Sequence, residues 1–137
     1  MKNQLVVNLR GEIFHKPPHS PGRPHDYSVF KTKHPALISL QTIADLGYKG
    51  MEKDFPQMNP VLPHKRKGKE LTPAQIEFNK NHSRTRIVIK HAIAKIRKFR
   101  IMGEKFRNRL LRYDRISDIV CGLVNFRIRY SDIIVIP

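Results

Sequence analysis

From Ala74 to Phe99 the chain contains neither proline nor glycine, and this uninterrupted stretch sets what the rest can fold around. Thr72-Pro73-Ala74-Gln75 opens it. Threonine supplies a capping oxygen, and proline takes the first helical position, where its missing amide costs nothing. Glutamine, three residues after the threonine, can reach back to the cap. Ile89, Ala92, Ile93, Ile96 and Phe99 then recur at helical spacing and make one apolar stripe. The pattern predicts a long helix with a single face to bury.

The other faces carry one sign of charge. Between Phe78 and Arg109 eleven residues are basic and one, Glu104, is acidic. Over all 137 residues, 27 lysines and arginines stand against 11 acids, a formal net charge of +16. So few acids cannot neutralise this excess internally, and a polyanion is the natural counter-charge, nucleic acid being the commonest. A helix with one apolar stripe and an otherwise basic surface can pack on a core while its charges track phosphates. Its candidate DNA-contacting residues are Arg86, Lys95, Arg97, Lys98, Arg100, Arg107 and Arg109.

Several classes fall away. Apolar runs such as Ile133-Ile134-Val135-Ile136 are far shorter than the ~20 residues of a bilayer span, so no membrane is expected. The first residues, Met1 to Asn8, hold one positive charge and too short an apolar run for a secretory signal. The single cysteine, Cys121, excludes an internal disulfide and a multi-cysteine zinc site. A cytoplasmic, nucleoid-associated protein is the expectation.

The first part, 1–54, reads as strands and turns. Gln4 to Leu9 and Glu12 to His15 have hairpin spacing, with Gly11 supplying the turn. Residues 17–24 hold four prolines and read as a rigid loop. Asp26 can cap a short helix over Tyr27 to Lys33, with Val29 and Phe30 inward and Pro35 ending it. Ile38 to Ala44 reads as a strand, stopped by the tight turn Asp45-Leu46-Gly47-Tyr48-Lys49-Gly50.

Residues 55–72, proline-rich around His64-Lys65-Arg66-Lys67-Gly68-Lys69, read as a solvated basic loop. The region 73–130 reads as helical. After Gly103 a second helix is expected over Glu104 to Leu111, and a third from about Arg115 to Arg129 with Ile116, Ile119, Val120, Leu123 and Val124 buried. Residues 131–137 read as a loose tail.

Particular residues carry a family resemblance. Ala44-Asp45-Leu46-Gly47-Tyr48-Lys49-Gly50 resembles the segment around the second catalytic aspartate of insertion-sequence transposases of the DDE superfamily, in the branch related to Harbinger-type transposases. The order continues through Leu71-Thr72-Pro73-Ala74-Gln75, Phe78-Asn79-Lys80, the stretch Ser83 to Ile101, Arg107-Asn108-Arg109 and Val124-Asn125-Phe126. Upstream, Ser20 to Phe30 is similar to the family's glycine, His-Asp and aromatic segment.

The resemblance implies an α/β chain: a partial ribonuclease-H-like fold, its mixed sheet missing the first strand, followed by basic C-terminal helices. It implies DNA cleavage and strand transfer at transposon ends, assisted by a divalent metal, normally magnesium. Two metals about 4 Å apart stabilise the attacking and leaving oxygens at phosphorus, and hard cations prefer oxygen ligands. The family therefore places three acids around them.

This sequence departs from that pattern twice. The first family aspartate precedes the segment matching Lys2 to Asn8. The second maps to Asp45, the one remaining metal ligand. The glutamate position, four residues after Arg86, is Lys90, and an ammonium repels magnesium. The expectation is a truncated, decayed or split transposase, inactive alone, with DNA as partner and an upstream-encoded half as a further one. The alternative is a small basic nucleic-acid-binding protein with no catalytic ancestry.

Other residues carry plainer readings. His15, His19 and His25 cluster in sequence but lack a clear fourth zinc ligand. His91 has no assigned role, and Cys121 reads as an inert core thiol.

Overall fold

In the computed structural model, which describes residues 3–33 and 41–131, the elements run in this order. Strands β1 (Val6–Val7) and β2 (Ile13–His15) precede helix α1 (Asp26–Lys33) and strand β3 (Thr42–Ile43). A 3-10 turn (Leu46–Tyr48), helix α2 (Met51–Asp54), a second 3-10 turn (Pro56–Met58) and strand β4 (Pro60–Val61) follow. Then come the long helix α3 (Pro73–Arg97), α4 (Arg100–Gly103), a 3-10 turn (Leu110–Arg112) and α5 (Tyr113–Tyr130). The result is a mixed α/β architecture, mostly helical, with two two-stranded sheets among the described residues. Pro35, the start of the strand expected from Ile38, and tail residues 132–137 lie outside the described residues.

The capping box forms as read. The Gln75 amide donates to Thr72 Oγ1 at 3.3 Å, and the Thr72 amide to Gln75 Oε1 at 3.1 Å. Two otherwise orphaned donors are satisfied, which fixes where α3 begins. Its stripe is inward as expected: Ala92 and Ile96 are buried, and Ile89, Ile93 and Phe99 half-buried.

The chain divides into two compact units, Met1–Ser20 with Val88–Pro137, and Pro21–Ile87. In the first, β1 and β2 pair antiparallel across an irregular register, Val6 opposite His15 and Val7 opposite Ile13. Asn8 Oδ1 takes the Arg10 and Glu12 amides at 3.0 Å each, and Gly11 adopts φ +84°, a conformation glycine reaches without strain. Ile13, Ile96, Val120, Cys121 and Val124 form the core, each worth roughly 1.5–3 kcal/mol for the large aliphatics. Asn125 of α5 closes on the edge of β2. Its Oδ1 accepts the Ile13 amide at 2.7 Å, and its Nδ2 donates to the Ile13 carbonyl at 2.9 Å.

In the second unit Phe30, Met51 and Met58 are buried beneath Tyr27, Tyr48 and Phe55. The rings of Tyr48 and Phe55 meet Phe30 edge-on at 5.8 and 5.6 Å, an arrangement the ring quadrupoles favour. Strands β3 and β4 pair in parallel, Thr42 with Pro60 and Ile43 with Val61.

Four expectations need correction. The proline-rich segment is not solvated from its start: it contributes β4 and the buried Met58. From α3, His82 donates to the Val61 carbonyl at 3.1 Å, while Asn79 both accepts from the His64 amide (2.7 Å) and donates to its carbonyl (3.0 Å). The cap of α1 is His25, whose Nδ1 accepts the Tyr27 amide at 3.3 Å; Asp26 already lies in the first turn.

No helix covers Glu104 to Leu111, because α4 ends at Gly103 and only Leu110–Arg112 winds, as a 3-10 turn. Helix α5 begins at Tyr113, and Ile119 and Leu123 are exposed, at 63 % and 46 %. Its buried face runs instead through Tyr113, Ser117, Val120, Cys121 and Val124, since Ser117 turns its hydroxyl back to the Asp114 carbonyl at 2.8 Å and so fits an apolar wall.

Candidate nucleic-acid interface

Asp45 sits where β3 gives way to the first 3-10 turn. Its backbone is extended, and Oδ1 accepts the Leu46 amide at 2.7 Å, capping that turn. The turn is held from behind by Tyr48 in the aromatic cluster. Of the two glycines in this motif, Gly50 is the one that needs to be glycine: its φ is +103°, and a Cβ there would meet the Tyr27 ring at 3.4 Å. Gly47 has open space around it.

The second carboxylate oxygen, Oδ2, takes a hydrogen bond from Arg86 Nη2 at 2.8 Å. Arg86 is more enclosed than Asp45, their side chains being 27 % and 50 % exposed. The sequence reading sets Arg86 toward phosphate; in the structure one of its guanidinium nitrogens is paired with Asp45. Four residues further along α3, Lys90 is exposed and on the same helical face.

Magnesium wants a set of oxygen ligands with negative charge to spare. Asp45 is one carboxylate, and its oxygens already accept from the Leu46 amide and from the Arg86 guanidinium. Among the described residues no group of three or more His, Cys, Asp and Glu side chains could hold a metal ion. Among the described residues Asp45 therefore stands without the further acids that a divalent centre needs.

The remaining basic candidates divide. Lys95, Arg97, Lys98, Arg107 and Arg109 are exposed. Arg100 is exposed too, but its Nε donates to Glu104 at 2.7 Å within the same turn. Lys90, Arg97 and Lys98, with Ile93 and Ala94 between them, line one open concavity of about 560 Å³ at the end of α3, Lys98 lying one residue past the helix. The helical spacing of these basic residues was visible in the sequence, whereas their grouping around an open concavity was not.

The histidines do not assemble into a zinc site among the described residues. His19 turns to Asp114, its amide donating to Oδ1 at 2.8 Å and its Nδ1 lying 3.0 Å from Oδ2, while His25 caps α1. Burial raises the Asp114 pKa, but the His19 amide and ring, with Lys16, outweigh it and hold the carboxyl below the usual aspartate range. Lys16, its side chain 6 % exposed, bridges Asp114 at 3.7 Å and Asp118 at 3.0 Å. Sequence reading missed this cluster, although two acids four residues apart on one helix were a signal for a shared cation. His91 is exposed. Burial pushes the Cys121 thiol up, which keeps it unreactive.

No described helix is long and apolar enough to cross a membrane. Residues 1–125 match the family described as DDE superfamily endonuclease. The chain is also similar to a protein of Microchaete diplosiphon described as a probable transposase for insertion sequence element IS702. The two are 33 % identical over 129 residues, covering 93 % of this chain and 46 % of that protein. This chain therefore spans about half the length of the curated relative. No solved structure matches it.

Proposed function

Since the chain belongs to the DDE superfamily endonuclease family, we infer that it engages insertion-sequence DNA without carrying a metal centre competent to cut it. Members of this family generally use a divalent metal. The observation that carries the reading is the ion pair between Asp45 and Arg86. The family resemblance sets the second acid at Asp45 and the glutamate at Lys90. Here the acid is bonded to a guanidinium, and the glutamate position one helical turn further on is an ammonium. Phosphoryl transfer of the two-metal kind needs carboxylates at both places to hold the ions. A first acid brought by another polypeptide, such as an upstream-encoded half, leaves both cations where they are.

The exposed Lys95, Arg97, Lys98, Arg107 and Arg109 support contact with the DNA backbone, the family's substrate being DNA. DNA binding in turn would hold the protein at the nucleoid. The same resemblance supports a ribonuclease-H-like architecture followed by basic C-terminal helices.

The test is incubation of the chain with linear DNA carrying insertion-sequence ends, with magnesium or manganese. Retarded migration without strand breakage is the expected result. Metal-dependent nicking that disappears in Asp45→Ala would overturn the reading.

A further inference from the structure

The misfit between Asp45 and magnesium poses a physical question, because a phosphate backbone near α3 still needs positive charge to neutralise it. The hollow on α3 supplies that charge in fixed form. Its lining is Lys90, Ile93, Ala94, Arg97 and Lys98: three cations, two small or aliphatic side chains, and no acid. Among the described residues none of these three cations is in an ion pair, whereas Arg86, Arg100, Arg129, Lys16, Lys31 and Arg66 all are. In a chain with 27 basic residues and 11 acids, three unpaired cations around one concavity are free to take an external anion.

The spacing fits a polymer better than a single ion. Lys98 lies eight positions after Lys90, about 12 Å along a helix rising 1.5 Å per residue. That span exceeds the axial rise of about 3.4 Å per phosphate of one DNA strand, so the row can meet more than one consecutive phosphate. Lys90 and Lys98 act as compact point charges at the two ends, and the Arg97 fork can take two oxygens of one phosphate. Ile93 and Ala94 lie between the cations and add no acid to the row.

We propose that this concavity is a seat for consecutive phosphates of a DNA backbone, anchored by Lys90, and that it works without a divalent metal. The inference rests on the DNA-binding reading above and adds the place, the anchoring residue and the independence from metal. Position 90 is then a binding residue whose ammonium supplies the charge that a metal would otherwise bring.

The test is fluorescence anisotropy of a labelled DNA duplex titrated with the full chain across a series of salt concentrations, with magnesium and with excess chelator. Wild-type binding should persist in chelator, and magnesium should act only as a competing counterion. Lys90→Ala should weaken binding by roughly three- to ten-fold and reduce the salt slope by about one, as loss of one phosphate contact does. Lys90→Arg should retain wild-type affinity, and Lys90→Glu should bind more weakly than Lys90→Ala. Lys53→Ala, which removes an exposed charge from α2, sets the effect of net charge alone.

Two results would overturn this inference alone: Lys90→Ala matching Lys53→Ala, or wild-type binding lost in chelator. A wild-type chain that binds no duplex at any salt concentration instead overturns the DNA-binding reading on which it rests.

Discussion

Arg86 reaches Asp45 across 2.8 Å, and the acid that the family motif points to is thereby already satisfied, by a guanidinium on one oxygen and the Leu46 amide on the other. The ion pair ties Asp45 to the part of α3 that belongs to the Pro21–Ile87 unit. Asp45→Ala should lower stability by about 1–3 kcal/mol, because it removes a cap and leaves a partly enclosed cation without its partner. Urea unfolding of the single and double variants with Arg86→Ala measures the coupling. Calorimetric titration with manganese should show no difference between wild type and Asp45→Ala, and a metal-binding signal lost with Asp45 would contradict the assignment.

Gly103 is fixed by its surroundings in a way that no turn motif reveals. A Cβ at that position would lie 2.7 Å from the Arg97 carbonyl oxygen, a contact that the backbone must move to relieve. Gly103→Ala should therefore destabilise by about 1–3 kcal/mol. Gly122, inside α5 with nothing within 4 Å of its Cβ position, provides the opposite case. Gly122→Ala should stabilise by about 0.5–1 kcal/mol through helix propensity. Thermal melts of the two variants should move in opposite directions, and a parallel shift would show that the close approach at Gly103 is absent in solution.

Asn125 serves as an extra strand-like partner for β2, giving one bond to Ile13 and taking another. Asn125→Asp keeps the acceptor facing the Ile13 amide but sets a carboxylate oxygen against the Ile13 carbonyl, where a donor stood. The lost bond and the repulsion together predict a loss of about 1–3 kcal/mol in the urea midpoint series. Unchanged stability would mean that β2 does not depend on this clamp.

What was legible in the sequence follows the length of its signals. The start of α3 could be read to the residue, because Thr72 and Gln75 satisfy each other locally and need no other part of the chain. The stripe of Ile89, Ala92, Ile93, Ile96 and Phe99 repeats often enough to fix a face. Strand β4 could not be read, since two residues have no periodicity and one of them is proline; His82 and Asn79 order the adjoining segment from a distance in sequence. The exposed Ile119 and Leu123 show the same limit on α5, where two apolar stripes share one helix and only packing selects between them. At the candidate site the motif located Asp45, but its pairing with Arg86, 41 residues away, is a tertiary fact.

The cluster around Asp114 predicts an acid-dependent loss of stability. Burial opposes ionisation there, but the His19 amide, its ring and Lys16 more than compensate, so the folded carboxyl stays charged to lower pH than an unfolded one. The stability it contributes is therefore present above the ordinary aspartate pKa of about 3.9 and drains away as pH falls through that value toward the lower folded one. Asp114→Asn removes the charge and should cost about 1–2 kcal/mol at neutral pH, allowing for a side chain 30 % open to solvent. The gap between wild type and variant, followed by urea unfolding at a series of pH values, should narrow below about pH 4 as the wild-type carboxyl takes up its proton. Because other acids titrate in the same window, the comparison of the two proteins isolates this one. A gap that stays constant down to about pH 2 would show that the charge on Asp114 contributes nothing and that only its hydrogen-bond geometry matters.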